Sequence, residues 1–236
     1  MNAPQGIEIP EKQKLLSKCL IFQALAPEAQ EDLAAHAYLR QHKSGDLIFA
    51  AGSEGQSMMA IVQGQVRIGI TTPSARDVVL ADLHAGDVFG EVALLDGGER
   101  SADARAMTNV TLLVLDRRDV LQNLMRHPEG ALKLLELLCK RLRRSDERMA
   151  ELAFLDISKR LAKALLRVID SPASRRGPSG TRLALSQSEL ADMIGGSREN
   201  VNRCLKGWQK RQIIDLKDGW LIIPDPAILE AIASTE

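Results

Sequence analysis

The sequence is poor in the residues that build disulfide frameworks and metal centres. Only three of its 236 residues are cysteines, and Cys19, Cys139 and Cys204 are too far apart to form a paired motif. This spacing argues against a disulfide framework, a zinc site and an iron–sulfur cluster. The four histidines also lack metal-ligand spacing. We therefore expect no metal or covalent cofactor.

Long apolar runs are lacking as well. Segment 1–14 has neither the basic start nor the apolar core of a signal peptide, and no apolar stretch is long enough to cross a bilayer. We expect a cytoplasmic protein without a membrane partner.

The formal net charge is zero, but the charges are distributed unevenly. Between residues 159 and 211 there are twelve lysines and arginines and only four aspartates and glutamates. A basic C-terminal third is typical of a nucleic-acid-binding domain. At 236 residues, 45% of them hydrophobic, the chain suits two modest domains with separate cores.

A helical pattern over residues 13–39 changes to alternating apolar and polar residues after Lys43. Pro27 suits the first turn of a helix that continues to about Ala37. The regular spacing of short strands in the next segment predicts a β-sandwich or jelly-roll barrel. The predicted strands are Leu47–Ala50, Met58–Val62, Val66–Thr71, Val78–Leu83, Val88–Phe89, Ala102–Ala106 and Thr111–Asp116.

Segment 90–106, GEVALLDGGERSADARA, concentrates residues that suit a nucleotide. A helical turn after the glycine would point its N–H groups at an anion, and the guanidinium of Arg100 with the hydroxyl of Ser101 would donate to the same anion. Glu91 would accept from a sugar hydroxyl, which in a 3′,5′-cyclic nucleotide is the 2′-OH. The candidate ligand-binding residues here are Gly90, Glu91, Val92, Ala93, Arg100 and Ser101.

A second interpretation of this segment needs no ligand. Glu91 and Arg100 would then form a local ion pair on a surface hairpin, an arrangement that contributes little to stability.

The segment from Pro128 to about Leu155 predicts a long helix with an apolar seam. Apolar residues alternate three and four apart along it, as in a coiled coil, so we expect it to form a homodimer. The alternative is an amphipathic helix that lies on its own barrel. Ser145 on the seam and the adjacent Asp146 would either set the dimer register or face a bound ligand. The seam comprises Leu135, Leu138, Leu142, Ser145, Met149 and Leu152.

Two short helices joined by a glycine turn are predicted near the C-terminus, after an exposed loop over residues 171–181. Ser186 and Glu189 form a capping box, and Ser197 caps the second helix. This pattern is a helix-turn-helix, whose second helix enters the DNA major groove, and a strand pair over residues 213–223 adds a wing. The candidate DNA-binding residues are Ser197, Arg198, Glu199, Asn200 and Arg203.

Together these segments resemble the cyclic-AMP receptor protein / fumarate-nitrate regulator (CRP/FNR) family of bacterial transcription regulators. The residues that carry the resemblance are KSGDLIFAAGSEGQSMMAIVQGQVRIG, GEVALLDGGERSA, ELAFLD and GGSRENVNRCLK. The resemblance implies an α+β protein that is not an enzyme. Its expected parts are a jelly-roll cyclic-nucleotide-binding barrel at 1–127, a dimerisation helix and hinge at 128–156, and a winged helix-turn-helix at 157–236.

The resemblance also implies roles for individual residues. Glu91 matches the acceptor of the ribose 2′-OH, with Gly90 adjacent, and Arg100 and Ser101 match the phosphate ligands. Ser145 matches the helix position that contacts the adenine edge. Arg198, Glu199 and Arg203 match the trio that reads palindromic half-sites similar to TGTGA. The implied partners are double-stranded DNA, a second copy of the chain, a cyclic nucleotide and RNA polymerase, with the ligand setting the geometry of the recognition helices.

Asp146 departs from the family pattern, which has a hydroxyl residue at this position. A carboxylate accepts both N1–H and N2–H₂ of guanine, so Asp146 favours cyclic GMP over cyclic AMP or relaxes the selectivity between them. The alternative is a solvent-facing ion pair between Asp146 and Arg143 or Arg144.

Two other functions are compatible with parts of the pattern. One is a regulator of the same fold that needs no ligand or that recognises cyclic di-GMP; intact Glu91, Arg100 and Ser101 argue against it. The other is a cupin-like barrel enzyme, which would require clustered histidine and glutamate ligands in the strands, and the sequence does not show them.

Overall fold

A computed structural model of the chain describes residues 8–23, 25–71, 77–169, 174–177, 180–217 and 219–234. The chain divides into two units, Met1–Leu142 and Arg143–Glu236.

The described part of the first unit has eight strands, with helices before and after them and one short helix among them. The helices are α1 (Ile9–Leu16), α2 (Leu20–Gln23), α3 (Pro27–His36), α4 (Glu91–Asp96), α5 (Arg117–Arg126) and the start of α6 (Pro128–Phe154). The strands are β1 (Tyr38–His42), β2 (Leu47–Phe49), β3 (Ser57–Gln63), β4 (Val66–Thr71), β5 (Asp77–Leu83), β6 (Val88–Phe89), β7 (Asp103–Ala106) and β8 (Val110–Asp116).

These strands form two four-stranded sheets, ordered β1-β8-β3-β6 and β2-β7-β4-β5. Each recorded strand pair is antiparallel. The alternation in β3 explains the layers: Met59 and Ile61 face the core between the sheets, while Met58 and Ala60 face the core beneath the helices. The arrangement confirms the predicted jelly-roll type of barrel.

One element of this unit was predicted wrongly. Residues 38 and 39, placed in a helical segment by their alanine- and leucine-rich surroundings, begin strand β1 instead. Tyr38 pairs with Val114 and His42 with Val110, so β1 lies at the edge of a sheet. Tertiary pairing with β8 therefore overrides the local helical pattern. The helix after Pro27 is confirmed and ends at His36.

The described part of the second unit contains the rest of α6, four further helices and a small sheet. The helices are α7 (Ile157–Ile169), α8 (Gln187–Ile194), α9 (Arg198–Lys210) and α10 (Pro226–Ser234), and the strands are β9 (Ser174–Gly177), β10 (Gly180–Leu183), β11 (Asp215–Lys217) and β12 (Trp220–Ile223). The sheet order is β11-β12-β10-β9. A core that includes Leu161, Leu190 and Val201 joins the helices to the sheet.

The helix-turn-helix and its wing are confirmed, and the loop expected over residues 171–181 is wrong in part. Arg175 pairs with Arg182, so β9 and β10 form two further strands of the wing sheet. The remaining loop positions, 171–173 and 178–179, lie outside the described residues, as does Asp218 in the predicted wing turn.

Candidate functional site

Gly90 forms the junction between strand β6 and helix α4. Its backbone is left-handed, with a φ of 81°. A Cβ atom at this position would lie 2.6 Å from Nη1 of Arg100 and 3.2 Å from the carbonyl oxygen of Ser57. The glycine is therefore required both by the backbone conformation and by the close approach of the arginine.

Arg100 is only 5% exposed and lies beneath this junction. Its Nη1 donates to the Gly90 carbonyl at 2.9 Å and its Nη2 donates to Oγ of Ser57 at 3.2 Å. The guanidinium also lies 4.3 Å from the centre of the Phe49 ring. Burial lowers the pKa of the Arg100 guanidinium, and the nearby Glu91 carboxylate opposes that change. The buried Nε has no hydrogen-bond partner among the described residues.

Glu91, the first residue of α4, is 2% exposed. One carboxylate oxygen accepts from Arg141 on α6, which also donates to the carbonyl of Val88. The other oxygen, Oε2, is buried and has no hydrogen-bond partner in the part of the chain that the structure describes. A buried carboxylate oxygen without a donor is costly, so its position favours a ligand that brings a hydroxyl or amino group.

Arg141 was missed by the sequence analysis. Its ion-pair partner is 50 residues away in sequence, so no local pattern marks it. The available signal was its place one helical turn before Ser145 on the long helix.

The other candidate ligand-binding residues of segment 90–106 differ in their burial. Ala93 is buried against Gly55, Val92 is exposed, and Ser101 is exposed immediately after Arg100. The surface-hairpin interpretation is wrong, because Glu91 and Arg100 are both buried and the ion pair of Glu91 is made with Arg141.

Ser145 and Asp146 lie on an exposed part of α6 and belong to the second unit. Their proposed contact with the base of a nucleotide therefore stays a prediction.

Helix α9 is held by local capping. Ser186 and Glu189 form the predicted capping box at the start of α8, and Gly195 ends that helix in a left-handed conformation. Oγ of Ser197 accepts from the backbone N–H of Asn200 at 3.2 Å, which fixes the first turn of α9. Cap and turn together fix the N-terminal side chains of α9 relative to α8.

The two faces of α9 differ sharply. Val201, Leu205 and Trp208 are buried in the core of the unit. Most of the predicted DNA-binding residues point away from that core: Arg198, Glu199 and Arg203 are exposed, whereas Ser197 and Asn200 are half-buried. An exposed face with two guanidinium groups and a carboxylate supplies donors for guanine and an acceptor for cytosine.

The described part of the chain contains no cluster of three or more histidine, cysteine, aspartate or glutamate side chains that could hold a metal ion. Within the same residues, no helix combines the length and the apolar character needed to span a membrane.

Comparison with known proteins covers both units. Residues 39–127 match the family model of the cyclic nucleotide-binding domain, and residues 159–232 match that of the Crp-like helix-turn-helix domain. A CRP-like cAMP-activated global transcriptional regulator of Mycobacterium tuberculosis is 32% identical over 90% of this chain and 95% of its own length. The cyclic AMP receptor protein of Thermus thermophilus is 36% identical over 90% of this chain and 96% of its own.

Solved structures agree with these relatives. The structure of CLP, described as a c-di-GMP responsive global regulator of Xanthomonas campestris, superposes with a TM-score of 0.77 at 25% identity, covering 85% of this chain and 100% of that one. The chain therefore belongs to the CRP/FNR family of transcription regulators, with a cyclic nucleotide-binding domain followed by a Crp-like helix-turn-helix domain.

Proposed function

We propose that the chain is a homodimeric regulator whose DNA binding is controlled by a cyclic mononucleotide held at Glu91 and Arg100. The observation that carries this proposal is a pair of buried, oppositely charged side chains. Among the described residues, Oε2 of Glu91 and Nε of Arg100 each lack a hydrogen-bond partner. Such groups are costly in a protein interior unless a ligand satisfies them.

The chemistry of a cyclic nucleotide suits this donor set. Arg100, together with the hydroxyl of the adjacent Ser101, would donate to the phosphate, and Oε2 of Glu91 would accept from the 2′-OH. Because Oε1 of Glu91 is already bonded to Arg141, the same carboxylate would join the ligand to the long helix α6. Ligand binding would thereby favour one arrangement of the two α6 helices in the dimer, and with it the separation of the recognition helices.

A double cycle, in which two nucleotides are each titrated into wild type and into a variant, tests the role of Glu91. We expect 2′-deoxy-cyclic AMP to bind wild type at least about tenfold more weakly than cyclic AMP, because a hydrogen bond to a carboxylate is lost. In the Glu91→Leu variant, both nucleotides should bind with similar affinity by titration calorimetry. Equal discrimination in wild type and variant would contradict the assignment.

We also propose that Asp146 selects the base of the effector. Its carboxylate matches the adjacent N1–H and N2–H₂ donors of guanine, so we propose that it shifts preference toward cyclic GMP. Calorimetry of cyclic AMP and cyclic GMP with wild type and Asp146→Ser tests this point. The variant should move the preference toward cyclic AMP, and an unchanged ratio of affinities would refute the role of Asp146.

The seam of α6 supports the homodimer. Leu135 and Leu142 belong to the first unit and are 56% and 62% exposed, so they are not buried against their own barrel. Further along the helix, Met149 and Leu152 are also exposed. Pairing two such seams would remove a continuous apolar stripe from water.

Sedimentation equilibrium of two matched variants tests the dimer. Leu142→Glu should weaken association by at least about tenfold, because it places a charge in the seam. Leu132→Glu is the control: Leu132 is also 62% exposed on α6 but lies about 100° around the helix from the centre of the seam. Equal weakening of association by the two substitutions would contradict dimerisation through the seam.

Palindromic half-sites similar to TGTGA are proposed as the DNA target. Each half-site would be read by Arg198, Glu199 and Arg203 of one protomer, with half-site centres about 34 Å apart. Replacing a guanine of the half-site should weaken wild-type binding by about 1–3 kcal/mol, measured by fluorescence anisotropy at fixed salt.

Cyclic di-GMP should be titrated in the same calorimetry experiment, because the similar CLP structure is described as that of a c-di-GMP responsive regulator. Tighter binding of cyclic di-GMP than of either mononucleotide would replace the mononucleotide in this proposal. Binding of none of the three nucleotides would leave a ligand-independent regulator.

A further inference from the structure

Asn202 is an uncharged amide side chain that lies beside the charged trio on α9. Asn202 follows Arg198 by four residues and precedes Lys206 by four, so it lies on the same face as these exposed cations. The buried residues of the helix, such as Val201 and Leu205, face the core of the unit instead. Asn202 itself is half-buried, which restricts its side chain without removing it from the surface.

A side chain of the neighbouring helix orients Asn202. Gln187 is the first residue of α8, and its Nε2 donates to Oδ1 of Asn202 at 3.4 Å. The two amides therefore connect the start of the first helix of the motif to the reading face of the second. In a helix-turn-helix the first helix crosses the DNA backbone while the second enters the major groove.

We propose that Asn202 reads an adenine and that Gln187 is its positioning residue. The inference rests on the proposed placement of α9 in the major groove. Oδ1 of Asn202 has two lone pairs: one accepts from Gln187, and the other is available to the N6 amino group of adenine. Nδ2 of Asn202 then donates to N7 of the same base, which completes the bidentate contact typical of asparagine and adenine.

This assignment gives α9 a specificity that the charged trio lacks. Arg198 and Arg203 suit guanine, and Glu199 suits cytosine, so the trio distinguishes G·C pairs. An amide with a fixed orientation distinguishes an A·T pair by its adjacent donor and acceptor. The amide contact of Gln187 holds that orientation before DNA binds, which reduces the entropy lost on binding.

Selection from a randomised duplex library tests the proposal with the full-length protein. Wild type should enrich an adenine at one position of the half-site, with about 5- to 150-fold discrimination. Asn202→Ala should lose that preference at that position alone. Asn202→Asp, of the same size, should transfer the preference to cytosine, because a carboxylate accepts from the N4 amino group and cannot donate to N7.

Gln187→Ala should weaken discrimination at the same position, and it should have no further effect in combination with Asn202→Ala. Lys206→Ala is the matched control from the same face; it should weaken binding to all sequences similarly. The unfolding midpoint followed by fluorescence of Trp208 and Trp220, the two tryptophans of the chain, checks that each variant folds.

Two outcomes separate this inference from the proposed function. If wild type selects a half-site and Asn202→Ala keeps the same preference at each position, Asn202 does not read a base and the inference is overturned while the regulator stands. If wild type selects no half-site, the placement of α9 and the inference that rests on it are both wrong.

Discussion

The proposed nucleotide site and the exposed face of α9 hold similar charged residues, but the first are buried and the second are exposed. Glu91 and Arg100 are buried beneath the surface of the first unit, whereas Arg198, Glu199 and Arg203 are exposed on α9. Burial fixes the first pair through contacts with Gly90, Ser57 and Arg141, formed by distant parts of the chain. The exposed set is positioned by the backbone of its capped helix.

The two regions therefore differ in the free energy that their charged residues cost the folded protein. Removing charge from water costs free energy, and that cost is offset in the first unit only partly by the hydrogen bonds that Glu91 and Arg100 make with the described residues. Burial of this pair therefore costs stability, and under the proposed function a bound ligand offsets that cost. The exposed residues of α9 carry no such cost in the free protein. Under the proposed function they lose contact with water only when DNA binds.

The largest predicted effect is a loss of nucleotide affinity in Arg100→Leu without a comparable loss of stability. Arg100→Leu should weaken nucleotide binding by at least about 100-fold, because the buried cation proposed to bind the phosphate is lost. The free energy of unfolding, measured by denaturant titration, should change little, because the lost hydrogen bonds to the Gly90 carbonyl and to Oγ of Ser57 are offset by removal of a buried charge whose Nε has no partner among the described residues. Arg203→Leu, the exposed counterpart, should leave nucleotide affinity unchanged and weaken binding to a palindromic duplex. A large loss of stability in Arg100→Leu would contradict the contrast.

Two glycine substitutions should have effects of opposite sign. Gly90→Ala should destabilise the protein by about 2 kcal/mol, because its left-handed backbone disfavours a side chain and a Cβ would approach Arg100 too closely. On Gly207 of α9, a Cβ would meet no atom of the described residues within 4 Å outside its own helix backbone and chain neighbours. Gly207→Ala should therefore stabilise the protein by about 0.5–1 kcal/mol. Urea unfolding monitored by circular dichroism measures both. Equal changes in the free energy of unfolding would contradict this prediction, because they would show that both positions accept a side chain equally well.

Loss of the α9 cap should have a smaller effect that is confined to the second unit. Ser197→Ala removes the acceptor for the N–H of Asn200 and should cost about 1 kcal/mol. Because Trp208 and Trp220 are the two tryptophans of the chain and both belong to the second unit, their fluorescence reports its unfolding. Nucleotide affinity should not change. A loss of nucleotide affinity would mean that the cap influences the first unit.

The smallest predicted effect is a pH dependence of the stability of the first unit that arises from His42. Burial, followed by the charge of Arg40, lowers the pKa of His42 below its ordinary 6.5. His42 therefore binds a proton more readily in the unfolded chain than in the folded one. The contribution of neutral His42 to the free energy of unfolding is present above pH 6.5 and is lost as the pH falls through the folded-state pKa. Between about pH 7 and pH 5, wild type should lose more stability than His42→Gln in urea titrations. An identical pH dependence would exclude His42 as the source.

Local signals predicted the recognition helix well. The capping box at Ser186 and Glu189, the turn at Gly195 and the cap at Ser197 each involve residues within a few positions, and the structure contains all of them. The alternating strands of the barrel and the long helix α6 were predicted for the same reason, because each follows from a short periodic pattern.

Contacts between distant segments were not predictable in the same way. Strand β1 exists because Tyr38 pairs with Val114, and β10 joins a sheet because Thr181 pairs with Ile223 of β12, far along the chain. The ion pair of Arg141 with Glu91 likewise depends on the packing of α6. Glu91 and Arg100 were identified from the sequence of segment 90–106, but their burial was not predicted from it.

We propose above all that a cyclic nucleotide bound at Glu91 and Arg100 controls DNA binding. The most direct test is fluorescence anisotropy of a labelled palindromic duplex, titrated with wild type and with Arg100→Leu, each with and without saturating nucleotide. We predict that the nucleotide changes the DNA affinity of wild type by at least about fivefold and leaves that of Arg100→Leu unchanged. The same nucleotide-dependent change in both proteins, or no change in wild type, would contradict the claim.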